Sequence, residues 1–290
     1  MNENYTVLAL IKDEPLRIVS IIRNFHERAK ILALLDSEDT TTESILIENS
    51  IEYRIRPDNF MKWSEREKTE WILKQSSTDY VFFCIASFYI SLKLLNIFDQ
   101  VSKHATHDAI KHANVYWSFG ALIQQQTILR RSSSCHFFNR QKVDLDRVGI
   151  HNEFAINKDA KFLVLPPDLN HALNVYRDDD MMVVGQKHIS YAEREALQRL
   201  EKSKKVTFFT IASKTIYAFI NNYIRMGGFR AGTPGLIFHT HYAIYIFLVY
   251  SRIWEYQNNK TFTQNRINHQ EMRLKMIDQH ILLESAKDIQ

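Results

Sequence analysis

Two short stretches of this chain hold residue types suited to chemistry at places where a fold can use them. The first is Asp36, which directly follows the apolar run Ile31–Leu35. A carboxylate at the end of a buried strand accepts two hydrogen bonds, from a diol or from a ring N–H. The same residue type in the same place also serves as a turn residue that caps the next helix. The second is the apolar run Tyr80–Ala86, which ends in Cys84-Ile85-Ala86-Ser87. It is too short for a core helix and rich in Val, Ile and Phe, so it reads as a central strand buried on both faces. In open α/β sheets ligands bind just past the carboxyl ends of such strands. That end carries no carboxylate, so it offers little to hard Mg²⁺ or Mn²⁺, which take oxygen ligands.

The elements around these stretches alternate. Tyr5–Ile11 reads as a first strand, and Asp13-Glu14-Pro15 as a helix start, since Pro loses nothing at the first helical position. Ile18, Ile21, Ile22 and Phe25 fall on one face of that helix. Lys30–Leu35 is a second strand. Thr40 with Glu43 reads as a capping box, Ile51–Ile55 as a third strand, and Ser64 with Glu67 as another capping box. Strand and helix alternating in this way predict a mostly parallel sheet with right-handed crossovers. Beyond Ser87 the pattern predicts a helix over Leu92–His112 and short strands at Val115–Phe119, Cys135–Phe138 and Phe162–Leu165. A polar loop is expected around residues 124–134, and a helix capped by Ser190 with Glu193. A long apolar helix over Val206–Met226 should end at Gly227-Gly228.

Composition narrows the function classes. The chain has 290 residues, 45% of them hydrophobic, and a formal charge of +4. That charge permits a phosphate-bearing or anionic-membrane partner without demanding one. Two cysteines without a CxxC pair argue against a disulfide framework or a zinc site and fit a reducing, cytoplasmic setting. No secretory signal is expected from the N-terminal residues. GxGxxG and GxxxxGK[ST] are absent, which disfavours a dinucleotide site or a P-loop. No zinc-finger, RNP or helix-turn-helix pattern suggests nucleic acid.

The motifs, taken in order, resemble glycosyltransferase family 2, an α/β family with the GT-A fold, and within it the enzymes that add sugars to lipopolysaccharide cores and surface glycans. The family's start is matched by Ala9-Leu10-Ile11-Lys12-Asp13-Glu14, and its aspartate turn by Leu34-Leu35-Asp36-Ser37-Glu38-Asp39-Thr40-Thr41. A His-Glu element is matched by Gly149-Ile150-His151-Asn152-Glu153. Later positions match at His171, Lys187, Tyr191 and Glu195-Ala196, then from Gly232 and Gly235 to Tyr242, Tyr245, Tyr250 and Trp254-Glu255. The resemblance implies a nucleotide-sugar donor held by Asp36, with Asp39, Asp13, Glu14 and Ser87 nearby, and a glycan or lipid-linked acceptor. It implies inverting transfer with a base in the region of His151 and Glu153, because the attacking hydroxyl must lose its proton. For Asp13, Glu14 and Glu153 the alternative is a helix-start or loop carboxylate without a functional role.

One position departs from the family. Where it carries Asp-x-Asp to hold a divalent ion against the donor diphosphate, this chain has Cys84-Ile85-Ala86-Ser87. Three readings stay open. The diphosphate is neutralised by cations, with Arg130, Arg131, Arg140 and Lys187 as candidates. A Mg²⁺ or Mn²⁺ ion is held elsewhere, by Asp79 or Asp178–Asp180. Or the chain is a non-catalytic relative that binds a nucleotide or a partner.

The expected division is a nucleotide-sugar half over 1–115, an acceptor half over 116–200 and a helical extension over 201–290. Leu236–Trp254 is apolar but interrupted by His239, His241 and Arg252, which a spanning helix of about 20 residues tolerates poorly. It reads as a packing helix, or as an interfacial helix at the inner face of a membrane with Arg225, Arg230 and Arg252 toward anionic headgroups.

Overall fold

The structure is a computed structural model that describes residues 4–12, 15–36, 38, 40–123, 133–149, 154–176 and 180–287. The chain divides into two compact units, Met1–Asp179 with Tyr223–Phe238, and Asp180–Asn222 with His239–Gln290.

The first unit is α/β with a mostly parallel sheet flanked by helices, as expected. β1 (Tyr5–Ile11), α1 (Pro15–Phe25), β2 (Lys30–Leu35), α2 (Thr40–Glu48), β3 (Glu52–Ile55), α3 (Glu65–Lys74) and β4 (Tyr80–Ile85) follow in strict alternation. Then come β5 (Phe88–Ile90), α4 (Leu92–His104), β6 (Ala109–His112), β7 (Asn114–Ser118), β8 (Ala121–Leu122), β9 (Ser134–Asn139), β10 (Phe162–Val164) and β11 (Leu173–Tyr176). The main sheet has the order β10-β6-β9-β4-β1-β2-β3, in which β9 runs antiparallel to both neighbours and every other pair is parallel. A second sheet has the order β5-β11-β7-β8.

Strand alternation divides the core between the two faces of the main sheet. Phe82 and Cys84 join Ile18, Ile21 and Phe25 of α1 and Leu94 and Phe98 of α4 on one face. Val81 and Phe83 join Phe60, Ile72, Leu73, Phe138 and Phe154 on the other. The Ser64–Glu67 capping box forms as expected, with both reciprocal hydrogen bonds.

The predicted helix over Leu92–His112 is a helix followed by a strand. α4 stops at His104 because Ala105 takes the left-handed conformation (φ 47°), and Ala109–His112 then pairs with β9 and β10. The helix at residue 40 begins at Thr40 itself. Glu43 in its first turn accepts a hydrogen bond from the Tyr53 hydroxyl at 3.1 Å. At the start of α7 (Gly232–Gln257) one of the two expected glycines, Gly235, has a steric reason, while Gly232 takes a positive φ of 63°. A Cβ on Gly235 would stand 2.1 Å from the Gly228 carbonyl oxygen, so no side chain fits.

The second unit is helical, with α5 (Met181–Leu200), α6 (Phe208–Phe219), the greater part of α7, and α8 (Phe262–Lys287). α5 starts nine residues before the expected cap at Ser190, because Asp180 accepts from the backbone N–H groups of Met182 and Val183. The predicted helix over Val206–Met226 is α6 continued by a π-helical segment, Ile220–Arg225. α5 and α7 enclose a core of Ala192, Ala196, Val206, Tyr245, Val249 and Ile253. Two polar links join them. The Tyr245 hydroxyl donates to the buried carboxylate of Glu195, which also pairs with Arg199. Arg252 grips Glu193 through two hydrogen bonds, at 2.5 and 3.0 Å, and pairs with Glu255. Those carboxylates hold the Arg252 guanidinium well above its ordinary pKa. One face of α7 thus packs against α5, and Arg252 is paired within the unit. Among the described residues no helix is long and apolar enough to cross a membrane.

Candidate functional site

The site is built by register. Ile11, Leu35 and Ile55 lie side by side at the ends of β1, β2 and β3. The next residue of each strand is Lys12, Asp36 and Arg56, so three charged side chains share one carboxyl edge. Backbone bonds fix them there: the Asp36 N–H donates to the Ile11 carbonyl at 3.0 Å, and the Arg56 N–H to the Leu35 carbonyl at 2.9 Å. Leu10 faces Ile85, so Ala86-Ser87 follow β4 at the same edge.

Arg56 was not singled out from the sequence, yet it organises this edge. Its side chain is only 7% exposed and its Nη2 pairs with Asp36 Oδ1. The guanidinium carbon stands 4.8 Å from the centre of the Phe60 ring. Phe60 in turn packs on Trp63 and Trp71 at 5.4 Å each. A planar guanidinium can stack on an aromatic face and present its donor fork to a carboxylate at once, which a Lys ammonium would not reproduce. Burial lowers the Arg56 pKa, but arginine stays charged in proteins. Asp36 Oδ2 lies 3.9 Å from the Nζ of the exposed Lys12, and the Asp36 side chain is 22% exposed. One carboxylate oxygen is thus anchored while the other keeps lone pairs for an incoming donor. The signal for Arg56 was present in the chain: it follows its strand, before Pro57, as Asp36 follows the preceding one.

The other candidates fall in several places. Ser87 is half-buried at the turn after β4, and its carbonyl accepts from the Tyr176 N–H at 2.8 Å. Asp13, Glu14, Asp39, Arg130, Arg131, His151 and Glu153 lie outside the described residues. Phe154, next to Glu153, packs on Phe83 at 4.6 Å. Arg140 is not brought to the Asp36 edge. Asn139 pairs with Tyr80, the first residue of β4, so Arg140 sits at the amino edge, its N–H on the Asp79 carbonyl. Lys187 is exposed on α5, in the second unit.

The residues at the end of β4 do not suit a hard cation. Cys84 is completely buried and its thiol is pushed far up by that burial, so it stays protonated. Ala86 has no ligand atom, and Ser87 offers one neutral hydroxyl. Among the described residues no group of three His, Cys, Asp or Glu side chains is placed to hold a metal ion.

A pair of histidines, also missed in the sequence, lies beneath the same edge. His112 ends β6 and His136 stands near the start of β9, with His136 Nδ1 3.2 Å from His112 Nε2. His112 Nδ1 is 3.1 Å from the Ala113 carbonyl, which can only accept. The His112 proton therefore sits on Nδ1, its Nε2 accepts, and His136 Nδ1–H donates. The His136 ring meets Phe88 edge-on at 5.0 Å. Burial drives the His112 pKa down to about 4, and burial together with His112 lowers that of His136 well below its ordinary value.

No protein-family model matches the chain. Among solved structures it is similar to residues 1–349 of TarS from S. aureus, at 13% identity over 89% of this chain and 92% of that one, with a TM-score of 0.46. It is similar to a putative nucleotide-diphospho-sugar transferase from Desulfovibrio desulfuricans G20, at 8% identity over 64% and 87% and a TM-score of 0.36. A third is glucosyl-3-phosphoglycerate synthase from Mycobacterium tuberculosis in complex with Mn²⁺, UDP-glucose and phosphoglyceric acid, at 15% identity over 48% and 57%, TM-score 0.34.

The histidine pair sets a pH dependence of stability. His112 titrates near 4 in the folded chain and near 6.5 when unfolded. As pH falls through that window the unfolded state takes up protons that the folded state refuses, so stability falls, and it is fully present above about 6.5. The slope is at most about 1.4 kcal/mol per pH unit for each histidine. Thermal melts of the wild type and of His112→Gln at a series of pH values should show a shallower decline in the variant between about pH 6.5 and 4. Parallel curves would show that the pair does not titrate on unfolding.

Proposed function

We propose that this chain is a glycosyltransferase that moves a sugar from a nucleotide-sugar donor to a cell-surface glycan or lipid-linked acceptor, with inversion. The observation that carries the reading is the Arg56-anchored carboxylate of Asp36 at the carboxyl edge, beside Lys12. The anchored oxygen fixes the direction of the other, which accepts from a ribose diol or a base N–H of the nucleotide. The donor half is residues 1–115 and the acceptor half 116–200. In the transfer step the acceptor oxygen attacks the anomeric carbon, the bond to the diphosphate oxygen breaks, and the nucleoside diphosphate leaves with the electron pair. Glu153, in the region of His151, takes the hydroxyl proton. The charge on the leaving group is met by cations, with Lys12 at the edge and Arg130 and Arg131 as further candidates.

Calorimetric titration with UDP tests the donor site. Asp36→Ala should weaken binding by about tenfold or more, the effect of losing a hydrogen bond to a charged group. Because the substitution also leaves Arg56 without its partner, circular dichroism must show an intact fold. Unchanged affinity in a folded variant would remove the assignment.

The absence of carboxylates at Cys84 and Ala86 favours a second reading, a non-catalytic relative that binds a nucleotide or a partner. Turnover with donor and acceptor in excess EDTA separates the two. Activity should persist, since residues 84–87 offer no carboxylate to a hard cation. Loss that Mn²⁺ reverses would place a metal on other residues, and no turnover beside measurable UDP binding would favour the second reading.

Peripheral association at an anionic membrane face belongs to the same proposal, carried by α6 rather than α7. Phe208 and Phe209 are 75% and 79% exposed, and Ile216, Tyr217 and Ile220 continue that exposure along the helix. Lys202, Lys204 and Lys205 precede it, a pairing of apolar and basic residues that suits an interface. Phe208→Ser with Phe209→Ser should reduce co-flotation with phosphatidylserine vesicles severalfold; equal flotation would refute a role for α6.

A further inference from the structure

α8 is a 26-residue helix, roughly 39 Å long. Every side chain from His269 to Gln279 is exposed, including Leu274 at 51% and Ile277 at 54%. A helical stretch that buries none of its side chains gains little stability from packing, which is the usual source. Met272 and Met276 lie on other faces, but part of its apolar set is in heptad register. Ile267, Leu274 and Ile281 recur every seven positions, with Ile277 three after Leu274. That is the a and d spacing of a coiled-coil seam, with Thr263, Gln270 and Glu284 at the remaining d positions.

The charges beside the seam identify its partner. With Ile267 at a, the g positions hold Arg266 and Arg273 and the e positions hold Glu271 and Asp278. In a parallel two-stranded coiled coil each g residue meets the e residue five places on in the other helix. That sets Arg266 against Glu271 of the second helix and Arg273 against Asp278, on both sides of the symmetry axis. An antiparallel pair would instead set basic g against basic g. An anionic lipid surface would meet the two acidic e residues as well as the arginines, which opposes binding. We infer that α8 pairs with α8 of a second copy of this chain in a parallel coiled coil. The polar residues at d, Thr263, Gln270 and Glu284, weaken such a pair, so the dimer forms only at sufficient concentration. This inference stands apart from the transferase reading and from Asp36.

Sedimentation analysis of the full chain over a range of concentrations tests it. The wild type should pass from monomer to dimer. Arg266→Glu with Arg273→Glu makes g and e both acidic, and Glu271→Lys with Asp278→Lys makes both basic; each should dimerise at least about tenfold more weakly. Mixing the two variants should restore a dimer containing one copy of each, which a misfolded variant could not do. A wild type that stays monomeric throughout, or a dimer that both variants keep, would overturn the proposal. So would a monomeric chain whose vesicle binding is lost in Ile267→Asp with Leu274→Asp, since that would give the seam to lipid.

Discussion

A guanidinium held 7% exposed against a carboxylate is the constraint on which the candidate site depends. Burying a charge is costly, and a buried ion pair rarely adds net stability over an apolar pair of similar size. Arg56 and Asp36 therefore need some explanation other than stability. The parallel register supplies part of it. Residues that follow the last paired position of β2 and β3 must emerge side by side, and the backbone N–H of each is tied to the neighbouring strand. The chain directs these side chains together, and opposite charges there cost less than like ones. The other part is orientation. Arg56 lies over Phe60, itself wedged among Trp63 and Trp71, so the guanidinium is fixed before anything binds and fixes Asp36 in turn. A site organised in advance loses less entropy when a ligand arrives.

How far the chain could be read depended on how local each signal was. The four alternating strands and helices were legible because buried parallel strands are short apolar runs and helices carry caps, as at Ser64–Glu67. β6 was not. Ala109-Ile110-Lys111-His112 is short and mixed, and it follows a strong helix without a Gly or Pro to separate them. The separation is made by Ala105 in a left-handed conformation, an unusual choice for a residue with a Cβ. The start of α5 was misplaced for the opposite reason. Ser190 and Glu193 form a good local capping pattern, but Asp180 already caps the helix and the pattern is carried along inside it.

Of the site, Asp36 was legible and its partner was not. An arginine after a strand resembles many solvent-facing arginines, and only pairing β3 with β2 shows that it lies beside Asp36. The histidine pair shows the same limit. His112 and His136 are 24 residues apart and meet through the antiparallel pairing of β6 with β9. Arg140 was placed by chain position near the site, but the antiparallel direction of β9 returns it to the opposite edge. Strand direction is a property of the assembled sheet, so single stretches do not encode it.

The polar pairs of the second unit change the meaning of the motif matches found there. Glu195, Tyr245 and Glu255 all belong to the resemblance, and each is used to hold helices. Tyr245 donates to Glu195 between α7 and α5, and Glu255 shares Arg252 with Glu193. A tyrosine inside a helical core needs a partner for its hydroxyl, and a buried carboxylate needs donors. These requirements alone restrict which residues can stand there, without any contact with a ligand. Helix packing alone accounts for these residues in the α5–α7 core. Asp36 stands differently in place: it pairs with a 7% exposed arginine where β1, β2 and β3 end side by side, the edge at which open α/β sheets bind ligands, and not between two helices of a core.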